Sequence, residues 1–316
     1  MEVLAPVNSA EPKVAILLCT YHGEKYLSEQ LDSIAAQTHG NWEVWASDDG
    51  SSDDTHQILL KYQTLWGNER LSIHSGPREG FVANFLSLVT HADIEADFYA
   101  YSDQDDILES DKLQRAISFL RTVPTDVPGL YCSRTRVVNA ENKTISLSPD
   151  YCRPPSFKNA LAQNIASGNT MVFNHATRAL LMRVEGTTSV VYHDWLTYLL
   201  VSGCGGRVHF DKLPSLRYRQ HDHNQLGSNL GFSATLFRFF LMLRGRFQGW
   251  NAQNISILHG FQDRLTEESR RVLKQFDQAR NSGFFNRIAR FRQSGVHRQT
   301  LLGNIGLFLA VLLRKI

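Results

Sequence analysis

Cysteine is scarce in this chain: the four present, Cys19, Cys132, Cys152 and Cys204, include no pair at C-x-x-C spacing. That excludes a dense disulfide framework and favours free thiols in a reducing compartment over a thiolate zinc site. The first twelve residues carry Glu2 and Glu11 but no Lys or Arg, and they lack the apolar core of a secretory leader. No apolar stretch approaches the ~20 residues that span a bilayer; the longest runs from Ile305 to Leu313. Neither G-x-x-x-x-G-K-[ST] nor a G-x-G-x-x-G after the first apolar run occurs, which removes the main support for P-loop and dinucleotide-binding readings. Internal repeats and low-complexity tracts are also missing. A cytoplasmic protein is expected, with contact to the inner face of the membrane left open.

What is present is an ordinary globular composition, 316 residues with 42% hydrophobic and 20% charged, enough to bury one large core or two smaller ones. The formal net charge of +2 conceals an asymmetry. From Leu236 onward there are 14 Lys/Arg against 4 Asp/Glu, a net of +10. The first 235 residues hold 19 basic and 27 acidic groups, a net of −8. An acidic body is joined to a basic tail.

The body alternates strands and helices. Val14–Thr20 is a continuous apolar run and predicts a buried strand. A helix over about 24–37 follows, then a strand at Trp42–Ala46 and a helix over about 53–65 capped by Ser51 or Ser52. Leu71–His74, a helix over about 81–91 and Phe98–Tyr101 continue the pattern. Further strands are predicted at Leu130–Cys132, Thr135–Val138, Ala166–Phe173, Arg207–Phe210 and Ser215–Tyr218, with helices from Asn174 and over Asp194–Leu200. Such alternation specifies an α/β sheet whose ligands bind at the carboxyl ends of the strands. Those ends hold Thr20-Tyr21, Asp48-Asp49 and Asp103-Gln-Asp-Asp106. Acidic turns there suit Mg²⁺ or Mn²⁺ bound together with substrate phosphates; solvated turns or helix starts are the plainer alternative.

Several segments together resemble family-2 glycosyltransferases of the GT-A fold, in their rhamnosyltransferase-like branch. They are Cys19-Thr-Tyr-His-Gly-Glu-Lys-Tyr-Leu27, Ser47-Asp-Asp-Gly-Ser-Ser-Asp53, Gly76-Pro-Arg-Glu-Gly-Phe-Val-Ala-Asn-Phe85, Ser102-Asp-Gln-Asp-Asp106, Ser167-Gly-Asn-Thr-Met171, His193-Asp-Trp195 and Tyr218-Arg-Gln-His221. The resemblance implies a mixed, Rossmann-like α/β sheet over residues 13–230. Outside it lie an N-terminal tail over 1–12 and a C-terminal extension over 231–316 that reads as helical and basic from its own residues. The resemblance also implies an inverting transfer from a nucleotide-sugar donor, with L-rhamnose from its dTDP donor the expected sugar, to a bacterial cell-surface glycan or lipid-linked acceptor. A hexosyl or N-acetylhexosaminyl transferase, or a catalytically silent protein of the same fold, are the alternatives.

By the same resemblance Thr20 and Glu24 line the nucleoside pocket, Asp48 faces the base, and Gly80 and Asn84 lie near the nucleotide. Asp103 and Asp105 form the D-x-D pair, with Asp105 and His221 holding Mg²⁺ or Mn²⁺. Asp194 is the general base; a simple helix N-cap is its alternative. His22 stands where the family usually has Asn. His193 could orient Asp194, and Arg219 could pair with phosphate or lie on the surface; Trp195 could stack on a sugar or be core. His223, two positions beyond the match, is the weaker ligand.

In the tail, Phe284, Phe285, Ile288 and Phe291 recur at helical spacing with Arg287, Arg290 and Arg292 between them, and an apolar run ends in Leu313-Arg314-Lys315. This predicts an interfacial helix drawn to anionic lipid, with packing on the body or dimerisation as alternatives. The acidic body argues against a nucleic-acid partner.

Overall fold

The computed structural model describes residues 11–184, 189–221 and 246–316. The strands are β1 (Val14–Thr20), β2 (Trp42–Asp48), β3 (Leu71–Ser75), β4 (Phe98–Ser102), β5 (Ile107–Leu108), β6 (Gly129–Ser133), β7 (Arg136–Val138), β8 (Thr144–Leu147), β9 (Val172–Asn174), β10 (Arg207–Asp211) and β11 (Leu216–Arg219). The helices of the body are α1 (Leu27–Ala35), α2 (Thr55–Trp66), α3 (Phe81–Thr90), α4 (Lys112–Leu120), α5 (Phe157–Ala160), α6 (His175–Leu181) and α7 (His193–Gly203). Four more follow: α8 (Arg246–His259), α9 (Glu267–Asn281), α10 (Phe284–Ser294) and α11 (Leu301–Leu312).

The main sheet has seven strands in the order β10-β6-β9-β4-β1-β2-β3. β1 pairs in parallel with both β2 and β4, so it sits where the strand order reverses. The sheet is mixed because β9 runs antiparallel to β4 and β6. Strand alternation divides the core. Val14, Ile16 and Leu18 pack with Leu27, Leu31 and Ile34 of α1 and Leu113 and Ile117 of α4. Ala15, Leu17 and Cys19 face the other way, towards α3, α6 and α7. A second sheet, β5-β11-β7-β8, carries β11 beside the acidic turn after β4.

Three expectations are revised. Ala166–Phe173 is not one strand: Gly168–Thr170 is a 3₁₀ turn and only β9 pairs. Local polar bonds compete with the ladder there, Ser167 Oγ donating to Asn169 Oδ1 and Thr170 Oγ1 to Ser167 O. Neither Ser51 nor Ser52 caps α2, whose N-cap position is Asp54; Ser51 instead donates to Asp48. The lipid-facing set in α10 is also different. Phe291 and Arg287 are buried, and Arg287 donates to the carbonyls of Val311, Leu312 and Ser282. It caps the end of α11 instead of meeting lipid.

The helices α8 to α11 pack on the body. Ile255, Leu258, Phe261, Leu273 and Phe276 belong to the same buried cluster as Leu17, Phe85 and Leu199. No helix among the described residues is long and apolar enough to cross a membrane. The chain segment expected to divide body from tail, around residue 230, and His223 lie outside the described residues.

Candidate active site

The carboxyl ends of β1, β2 and β4 lie side by side. The parallel register sets Thr20 opposite Asp48, and Leu18 opposite Ser102. At the end of β2, Asp48 accepts from Thr20 Oγ1 at 2.9 Å, and its other oxygen accepts from Ser51 N at 2.9 Å. Thr20 is buried, so its hydroxyl orients Asp48 from behind. Asn84 is also buried: it donates to Ser47 O and accepts from Ser47 Oγ, which pins α3 to β2. Glu24 is at the surface and accepts from Asp54 N at 3.1 Å, tying the β1–α1 loop to the start of α2.

Asp49 shapes the loop over residues 76–80 by accepting from Arg78 N at 2.6 Å and Gly80 N at 3.0 Å. Gly80 has φ +90° at the start of α3, a conformation that glycine adopts without steric cost. His22 has φ +50° and donates its amide to Ser51 Oγ. That left-handed conformation is one Asn and His tolerate better than most residues. Gln104 clamps the two loops, accepting from Tyr21 N at 2.8 Å and donating to Tyr21 O at 2.9 Å.

After β4 the three carboxylates occupy different environments. Asp105 Oδ2 lies 2.7 Å from His221 Nε2. Asp106 is buried, accepting from Asn169 Nδ2 at 2.6 Å and Arg219 N at 3.2 Å. Burial, with the charges of Asp105 and Asp103 adding to it, holds the Asp106 pKa well above the usual carboxylate range. The Asp103 carboxyl group is enclosed and raised for the same reason, with Asp105 and Asp194 contributing and Lys112 opposing. Lys112 is buried, donates to Asn169 O at 2.5 Å, and has its pKa lowered by burial to about 8. It is an internal counter-charge to Asp103 and Asp106 that the sequence reading missed, although Leu113, Ala116, Ile117 and Leu120 had marked its helix. Arg219 is not a phosphate ligand but a buried strut: it donates to Asp105 O, Ala140 O and Glu29 Oε2, and its guanidinium lies 4.5 Å over the Tyr26 ring.

Asp194 sits in the first turn of α7, where it accepts from Gly168 N at 3.1 Å and Trp195 N at 2.6 Å. Burial raises its pKa to about 6 despite those bonds. The 3₁₀ turn links the two segments, Gly168 N donating to Asp194 and Asn169 Nδ2 to Asp106, so the start of α7 lies beside the β4 turn. A Cβ at Gly168 would approach His193 Nε2 to 2.7 Å and Asp194 Cβ to 3.3 Å, so this turn needs glycine to let α7 come close. His193 does not orient Asp194. It is buried against Phe85, 4.1 Å between ring centroids, and burial lowers its pKa to about 3, leaving it neutral. Trp195 is core, its indole donating to Ala160 O at 2.7 Å.

A hard divalent cation fits this set. Asp105 and His221 stand 2.7 Å apart as a carboxylate–imidazole pair beside Asp103 and Asp106, where burial already penalises negative charge, and a cation there would relieve it. Among the described residues no group of three or more His, Cys, Asp or Glu forms a ready-made metal cage. Asp105 and His221 would supply two ligands and leave the other positions to water and phosphate.

The chain is 28% identical over 239 residues to the dTDP-rhamnosyl transferase RfbG of Shigella flexneri, covering 71% of this chain and 78% of that protein. It is 29% identical over 109 residues to the putative glycosyltransferase EpsE of Bacillus subtilis, covering 34% and 38%. Among solved structures, TarS 1-349 of S. aureus superposes with a TM-score of 0.55 at 18% identity, covering 96% of this chain and 88% of that one. The mannosyltransferase PcManGT of Pyrobaculum calidifontis, solved with GDP-Man and Mn²⁺, superposes at 0.51 and 16% identity, covering 98% and 89%. The fold is that of GT-A glycosyltransferases. The profile of glycosyl transferase family 2 matches residues 15–185, and the chain is a glycosyltransferase belonging to that family.

Proposed function

We propose that the enzyme transfers L-rhamnose from dTDP-rhamnose, with inversion, to a cell-surface glycan or its lipid-linked precursor at the inner face of the membrane. The observation that supports the mechanism is that one 3₁₀ turn bonds both Asp194, through Gly168 N, and Asp106 of the acidic turn, through Asn169, while burial raises the Asp194 pKa to about 6. In this reading the crevice between β1, β2 and β4 takes the nucleotide, with Asp48, Asp49 and the Gly80 turn forming its wall. Asp194 accepts the proton of the acceptor hydroxyl as that oxygen attacks the anomeric carbon, while the bond to the nucleoside diphosphate breaks. Asp105 and His221 would hold Mg²⁺ or Mn²⁺, which would supply charge compensation for the departing diphosphate. Asp103 completes the D-x-D turn beside the donor. Similarity to RfbG supports rhamnose as the sugar.

A panel of dTDP-, UDP- and GDP-sugars scored by thermal shift with Mg²⁺ or Mn²⁺ tests the donor. dTDP-rhamnose should stabilise most, and at a hundredfold excess over Kd the shift corresponds to about 2.7 kcal/mol. A larger shift with a UDP-N-acetylhexosamine would replace rhamnose in this reading; no shift with any donor would point to the silent alternative.

The base assignment sets the pH profile. An ionised carboxylate is required, so kcat/KM should be level above pH ~6 and fall about tenfold per unit below it. A profile flat down to pH 4 in the free enzyme would rule out a base with the environment of Asp194.

A further inference from the structure

The C-terminal helices bury one side and leave another bare. Phe291, Leu307, Ala310, Val311 and Ile316 belong to the core. On the opposite side of α11, Leu302, Ile305, Leu309 and Leu313 follow one another at three- and four-residue spacing and so form one row. Phe284 and Phe285 open α10, and that end of α10 lies beside the end of α11 because Arg287 donates to the carbonyls of Val311 and Leu312. These six side chains are between 38 and 84% exposed. Elsewhere among the described residues the exposed large apolar side chains lie singly or in neighbouring pairs. A grouped apolar surface of this kind marks an interaction site.

Charge identifies the partner. The last acidic residue of the chain is Asp277; seven Lys/Arg and no Asp/Glu follow it. Of these, Arg287 is buried as a helix cap, while Arg292 and Arg314 are exposed and Arg290, Arg298 and Lys315 are partly so. An apolar row on a segment whose accessible charges after Asp277 are all cationic side chains is the pattern of a helix lying in the plane of an anionic bilayer. A second copy would bring the same positive rim to the contact, and like charges oppose that pairing. At twelve residues α11 is about 18 Å long and cannot cross the bilayer.

We propose that the row Leu302–Ile305–Leu309–Leu313, with Phe284 and Phe285, is the surface by which this enzyme docks on anionic lipid. This deepens the membrane placement proposed above and rests on it. Of the set read from the sequence it keeps Phe284, Phe285 and the apolar run ending at Leu313, and drops Phe291 and Arg287, which are buried. The row would enter the headgroup boundary while Arg292, Arg314 and Lys315 meet lipid phosphates.

The test is flotation of the full-length protein with phosphatidylcholine vesicles and with mixed phosphatidylcholine–phosphatidylglycerol vesicles. Donor hydrolysis and thermal unfolding are read on every preparation. The wild type should float with the mixed vesicles at least about tenfold more than with the neutral ones. The variant Leu302→Gln/Ile305→Gln/Leu309→Gln should stay in the soluble fraction with donor hydrolysis unchanged. The variant Arg292→Gln/Arg314→Gln/Lys315→Gln, which alters only the rim, should lose the preference for the mixed vesicles. Wild type remaining soluble, or either variant floating as the wild type does, overturns the proposal. So does a wild-type dimer that the apolar variant converts to monomer without vesicle binding. Absence of donor hydrolysis in the wild type would instead count against the transferase reading and leave the flotation result to be judged by itself.

Discussion

Asp194→Asn should bind the donor as the wild type does and transfer sugar about 10²–10⁴-fold more slowly, the usual contribution of a positioned base. The substitution keeps the shape of the side chain at the start of α7 and removes its ability to take a proton. Asp194 accepts from two backbone amides, Gly168 N and Trp195 N, on different oxygens; the Asn carbonyl keeps one of them, and the other amide, left facing the Asn NH2, costs about 1–3 kcal/mol. Removing a charge that burial already disfavours offsets part of that. The measurement is single-turnover transfer at saturating donor, beside a donor titration and a thermal melt. Wild-type transfer by a folded Asp194→Asn would remove the residue from the mechanism. Loss of transfer with unchanged donor affinity in Asp103→Asn, with Asp194→Asn fully active, would then move the base to Asp103, the first carboxylate of the D-x-D turn.

The second large effect is expected at the D-x-D turn. Asp105→Ala should weaken donor binding by more than about tenfold in Mg²⁺ or Mn²⁺, with little change in chelator. His221, 2.7 Å from Asp105, should give the same signature when replaced by Ala, at smaller size. The reasoning is electrostatic. Burial has already raised Asp103 and Asp106, and Lys112 is the buried cation opposing Asp103. A diphosphate entering this crevice adds further negative charge, which a cation held by Asp105 would compensate. An equal loss of donor affinity with metal and with chelator would show that Asp105 acts by shape alone.

Much of the fold was legible because its signals are local. The unbroken apolar run of β1 and the helical period of α3 each announce themselves within a dozen residues. The same holds for the acidic turns, which sit where parallel strands end. α4 was overlooked although Leu113, Ala116, Ile117 and Leu120 carry its period. Other positions were beyond local reading. Thr20 and Asn84 are second-rank supports of Asp48 and Ser47, and Asp49 and Gln104 hold the loops. Nothing in the flanking residues separates a carboxylate that faces a ligand from one that accepts two backbone amides.

What the sequence by itself determined is therefore the alternation of strands and helices from β1 to β4, the clustering of Asp at the strand ends, and a tail without acidic residues after Asp277. These depend on periodicity and composition, which neighbouring residues carry. Only the tertiary structure decided which charges are inside. Arg219 is bonded to Asp105 across 114 positions and Lys112 to Asn169 across 57. Arg287 became a helix cap while Leu302, Ile305 and Leu309 were left bare. Burial is set by whichever distant segment packs alongside, and a charged side chain stays buried only where that segment supplies its partner.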